Sequence, residues 1–371
     1  MTTAAIPVGQ RDYSLVGADG RRAVEIGLAS AEWYHSEVPR AVMKDLMKRT
    51  DGPAIRDTIL WFALLIGGAW GGIHFWGSWA AVPFFLVYGV IYGSSCDSRW
   101  HECGHGTAFR TAWMNDVIYQ IASFMVIRNP VTWRWSHARH HTDTYIVGRD
   151  AEIAWMRPPK VLLNFLAFFD VIGSFRSLKT LARNALGTLT QDEKDFIPES
   201  EWGKTIFAAR VHMAIYAATI VTAIVMRSWL PLMLIGGPRI YGCWHLVMCG
   251  HLQHAGLAEN VLDHRLNSRT VYMNPISRYI YWNMNYHIEH HMFPMVPYHA
   301  LQRLHELIKN DLPPPNPSIL DGYREIIASL HQQKIDPEYY FRKDLPPSAK
   351  PYREEFHTLN IARSGTQGII T

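Results

Sequence analysis

Two long stretches of this chain are apolar and almost free of charge, and polar, histidine-rich sequence follows each. Residues 58–96 contain no Asp, Glu, Lys or Arg, which is enough for two membrane spans of about 20 residues. The Gly77-Ser78 break predicts a helical hairpin with spans at about 58–75 and 79–95. The alternative is one long buried helix, which would be unusually long for a globular core.

A second hairpin is predicted with spans at about 205–226 and 229–249, and with its turn at Arg227-Ser228. Arg210 and Arg239 interrupt its apolar sequence. An arginine at membrane depth costs about 2.5–3.5 kcal/mol on insertion scales and usually faces the protein interior or a cavity. Arg239 is therefore a candidate for the wall of a substrate cavity. The alternative is that it snorkels or pairs with a nearby carboxylate.

Shorter apolar stretches lie at 117–127 and 161–172, and they predict helices at a membrane surface because they are too short to span. A proline run at 313–317 ends the preceding helix, and the tail beyond it predicts an amphipathic helix followed by irregular chain. The pattern predicts an all-α membrane protein with four transmembrane helices in two hairpins and a cytosolic helical cap. Its parts would be a cytosolic N-terminal segment (1–57), a membrane domain (58–310) and a cytosolic C-terminal tail (311–371).

Composition agrees with a few spans joined to a sizeable polar cap. The chain is 48% hydrophobic and has 14 tryptophans, yet its mean hydropathy of −0.07 is too low for a protein that is mostly membrane span. The net charge of +4 comes without any block of like charges, so nothing supports nucleic-acid binding. The four cysteines form no CxxC motif and are expected to be buried thiols.

Three histidine clusters carry the candidate chemistry. Spacings of three and four residues place side chains on one face of a helix, so each cluster is expected to point two or three imidazoles the same way. Eight imidazoles exceed the four ligands of a closed zinc site and suit a site for two metal ions. The predicted ligands are His101 and His105 in the first cluster, His137, His140 and His141 in the second, and His287, His290 and His291 in the third.

The first cluster, His101-Glu102-Cys103-Gly104-His105, has an alternative interpretation. HExxH on a helix is also the motif of zinc proteases, in which both histidines bind zinc and the glutamate is the general base. An intramembrane zinc protease needs only one further ligand, and the two other clusters favour a larger site. A metal-binding membrane protein without catalytic activity is a further alternative.

The predicted topology tests whether the clusters can meet. A hairpin returns the chain to the side that it left, so all three clusters lie on one side of the membrane. Flanks rich in lysine and arginine, such as 40–56 and 128–157, mark that side as cytoplasmic. We expect a multi-pass cell-membrane protein in contact with the lipid bilayer, with its active site and both termini on the cytoplasmic side.

The order HxxxH, HxxHH, HxxHH, interleaved with apolar hairpins, resembles the membrane fatty acid desaturase and hydroxylase superfamily over about residues 55–310. Residues 285–294 resemble the third histidine box of that superfamily. Leu252-Gln253-His254 resembles its additional histidine after the fourth span, which makes His254 a ninth ligand, with His251 as the alternative. The resemblance implies two iron ions, O₂ as co-substrate and an alkyl or acyl substrate. The implied reaction is desaturation of a fatty acyl chain or, alternatively, alkyl hydroxylation or oxidative demethylation.

Unactivated C–H bonds are beyond side-chain acids and bases, so the metal must carry the difficult step, and we predict no catalytic residue beyond the ligands. Carboxylates near the clusters are candidates for orienting the imidazoles, and Asn285 for holding a metal-bound water. These carboxylates are Asp97, Glu102, Asp143, Asp150 and Glu289. The chain has no dinucleotide fingerprint, iron–sulfur cysteine run or fused cytochrome motif. An external electron donor is therefore expected: a ferredoxin, rubredoxin or cytochrome with its reductase.

Overall fold

The computed structural model describes residues 11–357, and this part of the chain is helical, with two isolated β-bridges and no β-strand. Both termini, which are predicted to be cytoplasmic, lie outside the described residues. The α-helices are α1 (Ala18–Glu25), α2 (Arg40–Leu46), α3 (Gly52–His74), α4 (Ala81–Gly93), α5 (Ser95–Gly104), α6 (Ala112–Met125), α7 (Pro130–Thr142), α8 (Val161–Leu166), α9 (Val171–Ala185), α10 (Gln191–Phe196), α11 (Trp202–Met226), α12 (Leu230–Leu234), α13 (Gly237–Gly242), α14 (Trp244–His254), α15 (His264–Asn267), α16 (Pro275–Ile280), α17 (His287–Met292), α18 (Leu301–Ile308) and α19 (Ile319–Ile335). Short 3₁₀ helices cover Leu28–Ser30, Ala167–Phe169, Glu199–Glu201 and Lys309–Asp311.

The first predicted hairpin is formed by α3 and α4. The chain turns between them at Gly77, whose φ of +88° is a left-handed conformation that glycine adopts without steric cost. The two helices approach closely at Gly68, where an added Cβ would lie 3.0 Å from the Cβ of Tyr88. The predicted turn is confirmed, although α3 begins six residues before the predicted span.

In the second predicted hairpin, only the first half is one continuous helix. Helix α11 ends at Met226, and Arg227 turns the chain with a φ of +45°. The predicted fourth span at 229–249 is wrong as a single helix, because the chain forms α12, α13 and the start of α14 there. Gly236 breaks the helical path with a φ of +81°, and Pro238 has no N–H to continue a helix. Helix α13 packs closely on α4 at Gly242, where an added Cβ would lie 1.9 Å from the carbonyl oxygen of Gly89.

By length and apolar composition, one helix within residues 11–357 could cross a membrane, namely Glu199–Met226. The count becomes two if α8 to α9, bent by 76° at Asp170, forms a broken span. The arrangement with four spans stays a prediction. Apolar side chains on the hairpin helices are nevertheless well exposed, with Ile66 of α3 68% exposed and Val225 of α11 77% exposed.

The remaining helix predictions hold in outline. Helix α6 covers the first short apolar stretch, and the second becomes α8, a 3₁₀ turn and the longer α9. In the tail, Ser318 caps α19 by accepting a hydrogen bond from the backbone N–H of Asp321 (3.2 Å). The chain from the end of α19 to residue 357 is irregular, as predicted.

The histidine clusters lie on short helices that follow the hairpins. Helix α5 continues almost directly from α4, and α7 begins where Asn129 accepts hydrogen bonds from the backbone N–H groups of Val131 (3.0 Å) and Thr132 (3.4 Å). Tyr119 of α6 donates to the Pro130 carbonyl (2.6 Å), which ties α6 to the first turn of α7. Since α6 also packs extensively on α5, it links the helices that carry the first two histidine clusters.

Candidate metal centre

The structure brings the nine predicted histidines together in two groups. Within each group, one ring nitrogen from every histidine lies within 4.8 Å of the others. Group one contains His101, His105, His137, His141 and His290, and group two contains His140, His254, His287 and His291. The alternative ninth ligand, His251, belongs to neither group and packs on Trp155, with ring centroids 4.9 Å apart.

In group one the Nε2 atoms point toward a common space. The Nε2 of His137 lies 3.2 Å from that of His105 and 3.1 Å from that of His141, which lies 3.1 Å from the Nε2 of His290. Two nitrogens bound at right angles to one metal ion, each at about 2.1 Å, would lie ~3.0 Å apart. The spacing therefore fits adjacent ligands of one ion.

Group two repeats the arrangement with four nitrogens. The Nε2 of His287 lies 3.0 Å from that of His254 and 3.1 Å from that of His291. The ring of His140 completes the group, with its centroid 4.9 Å from that of His291 and 5.3 Å from that of His254. All four side chains are buried.

Each cluster turns two of its imidazoles toward the same group, in agreement with the expected two or three. In α7, His137 and His141 enter group one while His140 enters group two, and α17 divides its histidines between the groups as well. Neighbouring residues on a helix point about 100° apart, so consecutive histidines diverge. Both helices therefore serve both groups.

Electrostatics keep most of these rings neutral. Burial lowers the pKa of His105 to about 4, and burial with the neighbouring imidazoles lowers the pKa of His141 and His290 well below the usual value. Burial also opposes charge on His140, but the Asp150 carboxylate outweighs it and raises the pKa of His140 to about 9. Neutral imidazole is the form that binds metal.

The outer ring nitrogens meet acceptors that fix the rings. Asp150 lies 2.8 Å from the Nδ1 of His140, and the backbone carbonyl of Asn267 lies 2.7 Å from the Nδ1 of His254. An acceptor at Nδ1 holds the proton there and leaves the Nε2 lone pair for a metal. Asp150 is thus the one predicted orienting residue that contacts a histidine of either group among the described residues.

Sequence reasoning missed two side chains that lie within 3.2 Å of outer ring nitrogens. Glu152 lies 3.1 Å from the Nδ1 of His137, and the hydroxyl of Thr144 lies 3.2 Å from the Nδ1 of His291. The nearness of Glu152 in sequence to Asp150 was an available signal. No sequence pattern marked Thr144.

The other predicted orienting carboxylates of the first two clusters have different partners. Asp97 pairs with Arg128 (2.5 Å), and Asp143 pairs with Arg149 (3.0 Å). Glu102 accepts hydrogen bonds from the Thr107 hydroxyl (2.6 Å) and from a backbone N–H, and burial raises its pKa to about 7. Both donors meet one oxygen of Glu102, Oε1, and neither belongs to a histidine of the two groups.

The third cluster has a similar outcome for its two candidates. Glu289 accepts a hydrogen bond from the Thr270 hydroxyl (2.6 Å) and pairs closely with His305, so it braces α17 against α18. Asn285 donates to the Val271 carbonyl (2.8 Å), and its buried side-chain oxygen has no hydrogen-bond partner.

Arg239 lies in α13 and is buried. Its guanidinium pairs with Asp170, at the bend between α8 and α9, and reaches toward the Gly93 carbonyl (3.5 Å). This contact matches the alternative of a paired carboxylate that the sequence left open.

The donor set fits transition-metal ions. Both ring nitrogens of His101 are buried without a hydrogen-bond partner. Buried polar atoms are normally satisfied, and a metal ion would satisfy inward-facing nitrogens. Imidazole is a ligand for iron, copper, zinc and nickel. The fold and site define an all-helical protein with two adjoining histidine groups, each able to hold one metal ion.

Comparison with known proteins supplies the family. The model of the fatty acid desaturase family matches residues 77–323, which is more than half of the chain and includes all three histidine clusters. The chain belongs to the fatty acid desaturase family, as the resemblance in its sequence implied.

Individual relatives are distant. The chain is 24% identical over 260 residues to an omega-6 fatty acid desaturase (endoplasmic reticulum isozyme 1) of Glycine max, covering 59% of this chain and 65% of that protein. It is 24% identical over 252 residues to a probable fatty acid desaturase of Sorghum bicolor, covering 60% and 62%. Over 102 residues it is 26% identical to an sn-1 acyl-lipid omega-3 desaturase (ferredoxin) of Nostoc, covering 26% and 28%. The chain spans less than two thirds of the length of each of these relatives.

Proposed function

We propose that this protein is an integral membrane, oxygen-dependent desaturase of an acyl chain, with two iron ions held by the nine histidines. The observation that carries the proposal is the division of those histidines into two adjoining groups of five and four. A hydrolase with one zinc ion needs three protein ligands, which leaves most of this set without a use. Family membership supports the oxidoreductase class.

Bound iron would supply the oxygen chemistry that breaks unactivated C–H bonds. The proposed reaction converts –CH₂–CH₂– to –CH=CH–, and the two hydrogens removed, two protons, two electrons and one O₂ leave as two waters. The protein's part is to hold the Nε2 atoms inward and to fix the rings from behind. Asp150, Glu152 and the Asn267 carbonyl do this at the Nδ1 atoms.

The proposal includes membrane integration as a domain of about residues 58–310, with the metal centre on the cytoplasmic side. It is supported by apolar side chains exposed on helices α3, α8, α9 and α11, such as Ile59 (64%), Leu166 (70%) and Ile224 (69%). Large exposed apolar patches are rare on soluble monomers. The acyl substrate would then enter from the bilayer.

The same metal centre would also serve a hydroxylase or demethylating monooxygenase, and one experiment separates these outcomes. Cells with and without the gene are grown under ¹⁸O₂, and their lipids and small molecules are profiled by mass spectrometry. We expect a product two hydrogens lighter than its precursor and free of label. A product that carries ¹⁸O would overturn desaturation in favour of oxygen insertion. Metal analysis of the purified protein should give two irons per chain, whereas one zinc would indicate the protease.

A further inference from the structure

A cleft beside group one has the charge and position of a docking site for a redox protein. It has a volume of about 240 Å³, and its lining includes Arg49, Arg110, Arg134 and Asp116 together with His105. Three arginines face one aspartate, so the cleft is positive. Within residues 11–357, the one ion pair made by the charged side chains of this lining joins Arg134 to Asp116 at 3.6 Å. Both of those side chains are largely exposed.

The cleft reaches one of the least covered histidines of the metal centre. His105 and His141 are the two partly exposed members of group one, whereas the other three are buried. Below the cleft lies a smaller cavity of about 100 Å³, which shares Gly104, His105 and Arg134 with it and is also lined by His101 and His137. The cleft therefore leads from the protein surface to the rings of group one.

The segment before Arg49 is mainly basic. Its exposed residues Arg40, Lys44 and Lys48 lie in and after α2, and its acidic residue Asp45 pairs with Arg303 (2.7 Å). Trp113, next in sequence to a residue of the cleft wall, is 62% exposed. Exposed tryptophan and arginine together are typical of binding hot spots between proteins.

The geometry points to this cleft, named the Arg49–Arg110–Arg134 cleft, as the docking site of an acidic one-electron carrier protein that reduces the metal centre through group one. The inference rests on the proposed function, since a desaturase needs two electrons from outside. Two reduced carriers dock in succession, each gives one electron and leaves oxidised, and the protein gains the pair used with one O₂. Complementary charge favours such an encounter and speeds association.

The alternative occupant is the anionic head group of a lipid substrate. The deeper cavity argues against it because its lining includes histidines of group one and none of group two, whereas the acyl chain of a substrate would have to reach both groups. An electron needs no such channel. The docking site is thus the better fit to this cleft.

The test measures carrier binding to the full-length, iron-loaded protein in nanodiscs of neutral phosphatidylcholine. The probes are three acidic carriers, a [2Fe–2S] ferredoxin, a rubredoxin and the soluble domain of cytochrome b5, and the one that binds most tightly at 50 mM salt is used further. The double variant Arg49→Glu/Arg110→Glu should raise its Kd by about ten-fold or more, because rim charges of this kind govern association. Arg49→Lys/Arg110→Lys keeps the charge and should stay within about two-fold of wild type.

Arg324→Glu is the matched control, because Arg324 is a 68% exposed arginine on α19, outside the cleft lining. It should bind the carrier as wild type does. Iron content and circular dichroism establish that each variant is folded.

Binding of none of the three carriers, or an unchanged Kd in the double glutamate variant, would overturn the inference. A raised KM for the lipid with an unchanged carrier Kd would overturn it in favour of a head-group site. The binding assay needs no turnover, so a wild-type protein that binds the carrier but desaturates nothing would refute the proposed function alone.

Discussion

Replacing Asp150 by asparagine should weaken metal binding in one histidine group and spare the other. One carboxylate oxygen of Asp150 lies 2.8 Å from the Nδ1 of His140 and also accepts from the backbone N–H of Tyr145 (2.8 Å). The second oxygen accepts from the backbone N–H of Glu152 (2.8 Å). Asparagine has one oxygen for these three contacts, so His140 loses its orienting acceptor or the loop loses a backbone hydrogen bond.

The magnitude follows from the contact itself. Asp150 outweighs burial and raises the pKa of His140 to about 9, so this carboxylate favours positive charge on the ring, whether from a proton or from a coordinated metal ion. Loss of an orienting partner typically weakens metal binding by about 10–100-fold, or roughly 1.4–2.7 kcal/mol. We expect that range for group two.

The assay is iron content per chain after dialysis against graded concentrations of a chelator. Wild type should hold two irons at a chelator concentration where Asp150→Asn falls toward one. Asp143→Asn is the matched control, because Asp143 is a similarly buried carboxylate at the end of α7 that pairs with Arg149 rather than with a histidine. Glu152→Gln should also fall toward one iron, now by weakening group one. Equal iron retention in Asp150→Asn and wild type, or an equal loss in Asp143→Asn, would refute the assigned role.

Three further predictions concern the ligands, the membrane and the buried arginine. His141→Ala should abolish desaturation and lower bound iron. The control is His331→Ala, at an exposed histidine, which should match wild type in product analysis and iron content. Full activity in His141→Ala would show that His141 of α7 is not a metal ligand. A reporter at Gly77 should lie across the membrane from one at the C-terminus, and a C-terminal reporter outside the cell would mean an odd number of spans. Arg239→Gln should destabilise the protein by about 1–3 kcal/mol in thermal unfolding because the partly buried Asp170 loses its partner, with the lipid KM unchanged. A raised KM with kcat intact would instead place Arg239 at the substrate.

The sequence was informative wherever a repeating local rule applied. The charge-free run at 58–96 predicted the α3–α4 hairpin because burial or membrane insertion of so many apolar residues requires a helix, and Gly77 marked the turn. The histidine spacings predicted helices α5, α7 and α17 and identified the candidate ligands that lie together in the structure. Both successes rest on helical periodicity, which is written directly in the order of residues.

The partners behind the histidines could not be derived in this way. Asp97 and Asp150 are equally plausible in sequence, yet one meets Arg128 and the other meets His140. That outcome depends on how the chain after α7 folds back, and the partner of His254 is the backbone carbonyl of Asn267, which every residue possesses. The expectation of one continuous helix at 229–249 was wrong because the apolar composition was given more weight than the helix-breaking residues Gly236 and Pro238.

The consecutive histidines in α7 and α17 explain why a two-metal centre can be built from two short helices. Residues four apart share a helix face, whereas neighbours point about 100° apart. Helix α7 accordingly gives its i, i+4 pair to group one and the remaining His140 to group two. Helix α17 does the reverse, with its i, i+4 pair in group two and His290 in group one. Each histidine group therefore includes residues from both helices, and its geometry depends on how α7 and α17 pack against each other.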